Sequence, residues 1–538
     1  MLDAFWWAVA PSALAGAGLC LLLERLLRPP VRPFWKRAPA ALAIHLGVWL
    51  GLFTCLLLVL QRPFFAASAL LAGMLFLVLV SNAKYHALRE PFIFQDFEYF
   101  SDVFRHPRLY LPFLGAGKAA LAVLAFGGAV YAGLALEESL LSVLPADDFL
   151  AGSVILALAA VVLLWWAARS KLAVTFEAAG DLCRLGLLCA MWRYGEEELR
   201  PCRRHWPFDG ASPGSAKPTN ATNATSDEPA HLVVVQSESF FDPRRLYAGI
   251  RGEVLREFDA LQAEALCCGP LEVAAWGANT VRTEFAFLSG LAGESLGVHR
   301  FNPYRRLARQ GVATLASFLQ RRGYRTICVH PYAASFYDRH KVFPCLGFDE
   351  FIDIRSFAGA AKSGPYVGDL ALAEKVCSLL QKAGGQPLFV FVISMENHGP
   401  LHLERVEPEE EERFYSRPPP TGCDDLTIYL RHLRNADRMA GMLRAELEGL
   451  PGSGGLCWFG DHVPIMPDVY RTLGAPAGQT DYFIWRKNEP GGPERQQAGQ
   501  SLRHAMKVEN LASLFLEEMG LLAPQSLPSS SAKAATVC

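Results

Sequence analysis

The chain has 538 residues, a net charge of −2 and 51% hydrophobic residues. This length exceeds one ordinary hydrophobic core, and the positive mean hydropathy indicates that one of the structural units lies in lipid. The near-neutral charge and the sequence motifs show no sign of a nucleic-acid partner, so we exclude DNA and RNA as ligands.

Five apolar stretches occupy the amino-terminal part of the chain, near residues 5–23, 40–60, 64–83, 116–136 and 149–168. Each is close to the ~20 residues that an α-helix needs to cross a bilayer. We therefore predict a transmembrane domain of five helices over residues 1–170. The first stretch has no basic segment before it and continues into Glu24-Arg25, which favours an uncleaved helix over a signal peptide.

Residues 171–230 are predicted to connect this domain to a second one. An amphipathic segment, Leu182 to Trp192, is predicted to be a helix at the membrane surface. The segment from Pro207 to Pro229 is rich in Pro, Gly, Ser, Asn and Thr, which is typical of a flexible linker.

From His231 onward, short apolar runs alternate with longer helical patterns. The predicted strands are Leu232–Val235, Thr326–Val329, Pro387–Ser394 and Leu456–Phe459, and the predicted helices include Val312–Arg322, Leu370–Ala383 and Thr427–Glu448. This alternation predicts an α/β domain with a largely parallel central sheet over residues 231–525, followed by a disordered tail at 526–538. In such sheets, functional sites gather at the carboxyl ends of the strands.

Polar residues follow two of these strands. Glu238 comes after the first strand, and Asp461-His462 come after the fourth. With the hydroxyl of Thr280, they form a plausible four-ligand shell for one divalent ion, with Mn²⁺ preferred and Zn²⁺ or Mg²⁺ as alternatives. Any one of these residues alone is more often a structural or solvated group.

Thr280 lies where a loop is expected to open a helix. A Thr at a helix N-cap commonly accepts a backbone N–H and contributes ~1 kcal/mol of stability. The same position aims the free N–H groups of the helix at a bound anion, and a metal beside the hydroxyl would make it a nucleophile. Thr283 is the nearby competitor, but it lies within the first helical turn.

Two further segments supply candidates for binding phosphate. His330 and Arg339 frame an aromatic pair after the second strand, and Arg339 is expected to bind phosphate oxygens through a fork of N–H groups. His398 follows the third strand, where it is a candidate acid for a leaving alcohol or a ligand of the phosphoryl oxygens. Cys328 and Cys345 bracket the His330 segment, and a disulfide between them is one option in an oxidising compartment.

These motifs resemble, in their order, those of the lipoteichoic acid synthase and phosphoglycerol transferase group of the sulfatase/alkaline phosphatase superfamily. The segments that carry the resemblance are Ser237-Glu238-Ser239-Phe240, Asn279-Thr280 through Glu284-Phe285, His330 with Arg339, Asn397-His398 and Gly460-Asp461-His462. The resemblance implies that Glu238, Thr280, Asp461 and His462 bind the metal. It also implies a phosphoglycerol intermediate on Thr280, with His330, Tyr337, Arg339 and His398 around the headgroup.

The chain departs from the pattern of this group at two places near the expected headgroup. Tyr337-Asp338 stands where a Trp-Asn pair is common, and Arg282 stands where an acidic residue is frequent. The Cys/Ser-x-Pro-x-Arg motif of sulfatases that form formylglycine is absent around Thr280. Hydrolysis of sulfate esters is therefore not expected, and the identity of the headgroup stays open.

The resemblance predicts a multi-pass protein of the bacterial cytoplasmic membrane, with an extracytoplasmic domain that moves glycerol phosphate from phosphatidylglycerol to a glycan or glycolipid. Three alternatives remain open: a phosphoethanolamine transferase acting on lipid A or a glycan, a metal-dependent phosphodiesterase or phosphatase, and an inactive glycan-binding module.

The charges of the membrane loops conflict with this orientation. The loop after the first apolar stretch is basic, and the loop after the fourth is acidic. Their charged residues are Arg25, Arg28, Arg32, Lys36 and Arg37, and Glu137, Glu138, Asp147 and Asp148. Applied literally, the positive-inside rule places the carboxy-terminal domain in the cytoplasm.

Overall fold

The computed structural model describes residues 2–98, 116–170, 172–200, 207–208, 231–487 and 502–523. They belong to two compact units: residues 1–204 with Glu294–Asn302, and residues 205–293 with 303–538. The predicted disordered tail and, apart from Pro207 and Phe208, the predicted linker lie outside the described residues.

The first unit is helical because long apolar runs dominate its sequence. Its helices are α1 (Leu2–Leu23), α2 (Pro39–Leu60), α3 (Pro63–Leu88), α4 (Ala116–Leu136), α5 (Leu140–Val143), α6 (Ala146–Ala168), α7 (Ala178–Leu185) and α8 (Leu187–Leu199). A helix occupies each of the five predicted positions, so this part of the fold prediction is confirmed. Among the described residues, α1, α2, α3 and α6 are long and apolar enough to cross a membrane.

The single amphipathic helix predicted from Leu182 to Trp192 is wrong, because the chain breaks at Gly186 between α7 and α8. Gly186 has φ +82°, and a Cβ there would lie 2.0 Å from the guanidinium of Arg37 and 2.7 Å from the Glu24 carboxylate. That carboxylate accepts the Leu187 N–H at 2.7 Å. Glu24 therefore caps α8 from the distant loop after α1.

A short segment beyond residue 231 also belongs to the first unit. Within Glu294–Asn302, Phe301 stacks on Tyr194 of α8 with ring centroids 5.4 Å apart. Ile93 and Val298 complete this buried cluster. Residues Glu294–Asn302, which lie within the predicted domain over 231–525, therefore group with the first unit, because Val298 and Phe301 pack on its side chains.

The second unit is built on one sheet of nine strands. The strands of this unit are β1 (His231–Ser237), β2 (Cys267–Glu272), β3 (Arg325–Val329), β4 (Glu350–Ile352), β5 (Lys362–Ser363), β6 (Tyr366–Val367), β7 (Leu388–Ile393), β8 (Gly454–Gly460), β9 (Thr480–Arg486), β10 (Leu502–Arg503) and β11 (Met506–Lys507). The order across the sheet is β10-β2-β9-β8-β1-β7-β3-β4, with β11 also on β2, whereas β5 and β6 form a separate hairpin.

The helices of this region are α9 (Arg256–Glu264), α10 (Thr280–Ser289), α11 (Gly293–Leu296), α12 (Leu315–Gln320), α13 (Arg339–Cys345), α14 (Asp369–Gln381), α15 (Glu410–Phe414), α16 (Asp424–Gly449), α17 (Pro467–Leu473) and α18 (Val508–Glu518). All three predicted helices exist, but α12 is shorter than predicted. It starts at a capping box in which Thr314 and Ser317 bond each other's backbone N–H.

The largely parallel sheet is confirmed. Strands β8, β1, β7, β3 and β4 run parallel, and only β9 pairs antiparallel, with β8 on one side and β2 on the other. All residues of β1, β7 and β8 are buried, which explains why their sequences are continuous apolar runs. All four predicted strands exist, as β1, β3, β7 and β8.

The cysteine pair proposed from the sequence does not form a disulfide. Cys328 is a buried free thiol in β3, whereas Cys345 is an exposed free thiol at the end of α13. The Cys328 side chain lies in the core beside the sheet, whereas the Cys345 side chain faces solvent.

Helix α10 is held against the sheet by stacked aromatic rings. Phe287 is fully buried, with its ring centroid 5.9 Å from that of Phe391 in β7 and 4.7 Å from that of Phe459 in β8. This packing sets the distance between α10 and the strands that it covers.

We expect Phe287→Ala to destabilise the second unit by about 3–5 kcal/mol, because it removes a buried ring and leaves a cavity. Phe287→Leu, which keeps most of the apolar volume, serves as the control and should cost clearly less. Thermal unfolding of the full-length protein in detergent measures both. Equal unfolding temperatures for wild type and Phe287→Ala would contradict this role of the ring.

Candidate active site

Four neighbouring parallel strands deliver polar residues to one edge of the sheet. In spatial order, β8 is followed by Asp461-His462, β1 by Glu238, β7 by the loop of His398, and β3 by His330. The register places Ser237 opposite Gly460, so that Glu238 and Asp461 leave the sheet side by side. The sheet topology therefore brings together residues that are up to 224 positions apart, since His462 and Glu238 differ by that number.

Glu238, Asp461 and His462 form a buried cluster whose ligand atoms all lie within 4.8 Å of one another. His462 Nε2 is 3.5 Å from Glu238 Oε1 and 3.3 Å from Asp461 Oδ2. The other ring nitrogen, Nδ1, lies 3.2 Å from the carbonyl oxygen of Val463. This contact assigns the proton to Nδ1 and leaves the lone pair of Nε2 facing the two carboxylates.

The cluster has the negative charge and the unsatisfied acceptor atoms that are typical of a cation site. The Oδ2 atom of Asp461 is buried and accepts no hydrogen bond. Burial, together with the charge of Asp461, raises the pKa of Glu238 to about 8. Two carboxylates and one imidazole nitrogen that face each other fit a divalent metal ion, which would displace the proton from Glu238 and neutralise the carboxylate charges.

Neighbouring groups orient the two carboxylates. Ser239, with φ +55°, donates its backbone N–H to Asp461 Oδ1 at 2.8 Å and its hydroxyl to Glu238 Oε1 at 3.1 Å. The hydroxyl of Thr283 donates to the backbone carbonyl of Asp461 at 2.8 Å and is fully buried. Thr283 thus supports the cluster from α10 rather than facing the cavity.

Thr280 lies beside this cluster, at the start of α10. The expectation that it is the N-cap is wrong by one residue: Asn279 is the N-cap, with φ +66° and no capping side chain, and Thr280 is the first helical residue. The side chain of Thr280 lines the same cavity as Glu238 and His462. Its hydroxyl is therefore not used to cap the helix.

The guanidinium of Arg339 is tied to the helix that carries Thr280. It donates through Nη2 to Glu284 Oε2 at 2.9 Å and through Nε to Oε1 at 3.5 Å, and both side chains are buried. Its Nη1 lies 3.2 Å from Nε2 of His330, whose Nδ1 lies 3.1 Å from the carbonyl oxygen of Ile393. The fork expected to bind phosphate is thus engaged by Glu284.

Three of the five N–H groups of Arg339 are used in these bonds, and the remaining two are left for a ligand. Although burial opposes it, the charge of Glu284 raises the pKa of Arg339 above its ordinary value. Burial and the charge of Arg339 hold the pKa of His330 well below its ordinary value. His330 is therefore neutral, and it orients the arginine by accepting from Nη1.

Tyr337 lines the cavity in a backbone conformation that a non-glycine residue seldom adopts. Its φ is +55°, and Asp338 follows with φ +51°. The ring centroids of Tyr337 and Phe336 are 4.2 Å apart. The guanidinium carbon of Arg339 lies 5.2 Å from the centroid of the Tyr337 ring. Such local strain is retained where a side chain must point at a ligand.

His398 also lines the cavity and is partly exposed. Its Nδ1 lies 2.8 Å from the carbonyl oxygen of Gly399, which assigns the proton to Nδ1 and leaves Nε2 to exchange protons. Burial lowers the pKa of His398. The hydroxyl of Tyr366, from the β5–β6 hairpin, is 3.3 Å from the same Nδ1.

Two residues of this site had no predicted role. Glu284 lies four residues after Thr280, one turn along the same helix, so helical spacing was an available signal. Tyr366 had no such signal, because it reaches His398 only through the tertiary placement of a short hairpin.

The comparisons with known proteins agree with this fold. The family model described as sulfatase matches residues 230–520. The capsular polysaccharide biosynthesis protein RkpI of Rhizobium meliloti is 34% identical over 260 residues, which cover 48% of this chain and 45% of that protein. The chain thus matches less than half the length of this curated relative.

Two solved structures are similar at low sequence identity. Lipooligosaccharide phosphoethanolamine transferase A of Neisseria meningitidis has a TM-score of 0.54 and 13% identity, with 94% of both chains covered. The phosphoglycerol transferase GacH of Streptococcus pyogenes has a TM-score of 0.42 and 20% identity, covering 54% of this chain and 74% of that one. The first likeness extends over both units and concerns the fold alone.

Asp461→Asn should reduce the content of bound divalent metal to a small fraction of the wild-type value. The substitution keeps the size of the side chain but removes a charge that the cluster directs at the ion. Elemental analysis of the purified full-length protein gives the content. Asp437→Asn is the matched control, because Asp437 is a buried carboxylate that caps α9 away from the cluster. Unchanged metal in Asp461→Asn would contradict the assignment.

Glu284→Gln should destabilise the protein by about 3–5 kcal/mol, because it leaves the Arg339 charge buried without its partner. Glu350→Gln is the control: Glu350 pairs with Arg325 at 2.7 Å on the surface, where a lost pair costs at most about 1 kcal/mol. Thermal unfolding compares the two variants. Equal losses would show that Glu284 does not restrain a buried charge.

Proposed function

Because this chain belongs to the sulfatase family, we propose that it is a membrane-anchored phosphoglycerol transferase. It moves glycerol phosphate from phosphatidylglycerol to a glycan or glycolipid of the cell envelope, through an intermediate on Thr280. The membership agrees with the superfamily that the sequence motifs resemble. It supports an enzymatic domain, and the apolar helices of the first unit support a membrane protein. The reaction itself is argued from the site.

One observation carries the proposal: a free threonine hydroxyl at a helix start shares a cavity with a buried metal-binding cluster and with Arg339. The N-terminus of α10 directs backbone N–H groups at an anion bound there. A metal ion held by Glu238, Asp461, His462 and Thr280 would lower the pKa of the threonine hydroxyl and neutralise charge on the phosphate. We propose Mn²⁺ as this ion.

In the first half-reaction, Thr280 Oγ1 forms a bond to phosphorus, and the bond from phosphorus to the diacylglycerol oxygen breaks. The threonine proton leaves to solvent, and protonated His398 gives its Nε2 proton to the departing oxygen.

In the second half-reaction, an acceptor hydroxyl attacks phosphorus while His398 takes its proton. The bond to Thr280 then breaks, and the threonine oxygen regains a proton. The two remaining N–H groups of Arg339 bind the phosphoryl oxygens.

The charge of the cavity wall favours glycerol as the headgroup. Among the described lining residues, the cationic or imidazole side chains are Arg339, His330, His398 and His462, and Glu238 is the one carboxylate. Because Glu238 faces the metal position, an ammonium headgroup has no carboxylate partner here. A neutral glycerol instead finds hydroxyl and imidazole partners around Tyr337 and His398.

The proposal also includes the chemical class of the acceptor and the location of the reaction in the cell. The relative RkpI, a capsular polysaccharide biosynthesis protein, supports a cell-envelope glycan as acceptor. Phosphatidylglycerol then meets the catalytic unit at the outer face of the bacterial cytoplasmic membrane. A second candidate, phosphoethanolamine transfer, is favoured by the fold likeness over both units to the Neisseria enzyme of that activity.

Thr280→Ala should abolish release of diacylglycerol from phosphatidylglycerol vesicles, a loss of about 10³-fold or more, because no other nucleophile replaces the hydroxyl. Thr280→Ser keeps the hydroxyl and should retain measurable activity. Mass spectrometry of the wild-type protein should detect glycerol phosphate on Thr280.

Parallel vesicles of phosphatidylethanolamine separate the two headgroups. An adduct of ethanolamine phosphate on Thr280 would select the second candidate. Full activity of Thr280→Ala with either lipid would reject both.

A further inference from the structure

A second buried charged cluster lies behind the loop that carries His398. We name it the His432 cluster; it consists of His432, Glu396, Glu404 and Asn435. His432 lies on α16, with Nδ1 2.9 Å from Glu396 Oε1 and Nε2 3.0 Å from Glu404 Oε1. The imidazole is fully buried and does not line the cavity of Thr280.

Glu396 connects three elements through its carboxylate. Its Oε2 accepts the backbone N–H of Asp369, the first residue of α14, at 2.6 Å. Its Oε1 accepts from the Asn435 amide of α16 at 2.6 Å, in addition to its contact with His432. The chain after β7 is therefore fastened to two helices by one side chain.

Glu404 fastens the other end of the same loop. Its carboxylate contacts His432 and also Arg431 Nη1, at 3.1 Å. Between Glu396 and Glu404, the chain carries Asn397 and His398, whose Nδ1 is 2.8 Å from the carbonyl oxygen of Gly399. One imidazole thus holds both ends of the loop that presents His398 to the cavity.

The electrostatics require this imidazole to be charged. Although burial opposes it, the hydrogen bonds to Glu396 and Glu404 raise the pKa of His432 to about 9. Burial and the charge of Glu396 raise the pKa of Asp369 well above its ordinary value. Arg431 is shared with Glu410 at 2.6 Å, on the outer side of the cluster. His432 is therefore the cation that compensates Glu396.

We propose that His432 is a positioning residue, whose charged ring clamps loop 396–404 at Glu396 and Glu404 and thereby directs His398 into the cavity. The consequence for catalysis rests on the proposed function, whereas the clamp itself is a property of the fold. Because His432 touches neither the cavity nor the metal cluster, its loss should act on the turnover step through His398 rather than on metal binding.

The pH dependence has a defined sign. A group whose pKa is raised in the folded state contributes stability that is fully present below its unfolded pKa, about 6.5 for histidine, and is lost as pH rises through the folded value. The clamp should therefore loosen as pH rises through about 9. The charged or titratable groups that face His432 are Glu396, Glu404, Asp369, Arg431 and Glu410.

The test uses the full-length protein in detergent and phosphatidylglycerol vesicles, with the variants His432→Gln, Glu396→Gln and their combination. His402→Gln is the matched control, because His402 is an exposed histidine of the same loop. Hydrogen exchange of the peptide over residues 394–404 measures the clamp, and the kcat and KM of diacylglycerol release over pH measure its effect.

We expect His432→Gln to speed exchange in this peptide by about tenfold or more, to lower kcat by about tenfold with KM within twofold, and to shift the pH dependence of kcat. The losses of the double variant should stay below the sum of the two single losses, because both substitutions remove the same contact. If His432→Gln does not fold, Glu404→Gln, which alters the half-buried end of the clamp, should give a smaller change of the same kind.

Wild-type exchange rates in His432→Gln, or losses in the double variant that equal the sum of the two single losses, would overturn the clamp. Unchanged kcat with faster exchange would overturn its role in positioning. If wild type releases no diacylglycerol, the proposed function fails, and the exchange rates still decide the clamp.

Discussion

The structure of the second unit depends on the close approach of two buried carboxylates at the ends of neighbouring strands. Glu238 and Asp461 lie next to the Nε2 atom of His462, and the three ligand atoms lie within 4.8 Å of one another. Burial of two carboxylate charges together is unfavourable without a cation and becomes favourable when a cation enters. Ser239 donates to both carboxylates and Thr283 donates to the backbone carbonyl of Asp461, so these two residues hold the cluster in place against this repulsion.

Three buried ionic groups near the cavity have different electrostatic roles. The metal cluster concentrates negative charge for an ion. The Glu284–Arg339 pair keeps a guanidinium buried but leaves part of it for a phosphate. The His432 cluster places a cation between two carboxylates to restrain a loop.

Much of the fold could be predicted from the sequence, because hydrophobic period and length distinguish membrane helices from buried strands. The four predicted strands and the five apolar helices exist for that reason. The break at Gly186 was missed because it depends on side chains from a distant loop, and the cap at Asn279 was missed because it depends on a left-handed backbone conformation. The structure brings the site residues named from the sequence together, whereas Tyr366 and His432 contact the loop of His398 only through tertiary packing.

The bond between Glu284 and Arg339 has a consequence for the proposed transfer between two different alcohols. Thr280 and the Arg339 guanidinium are both tied to α10, and α10 is stacked on the sheet. Under the proposed function, we therefore expect differences between the two alcohols to be accommodated by the loop of His398, which also lines the cavity. Acceptor range can then diversify in that loop while Thr280, Arg339 and the metal cluster stay unchanged.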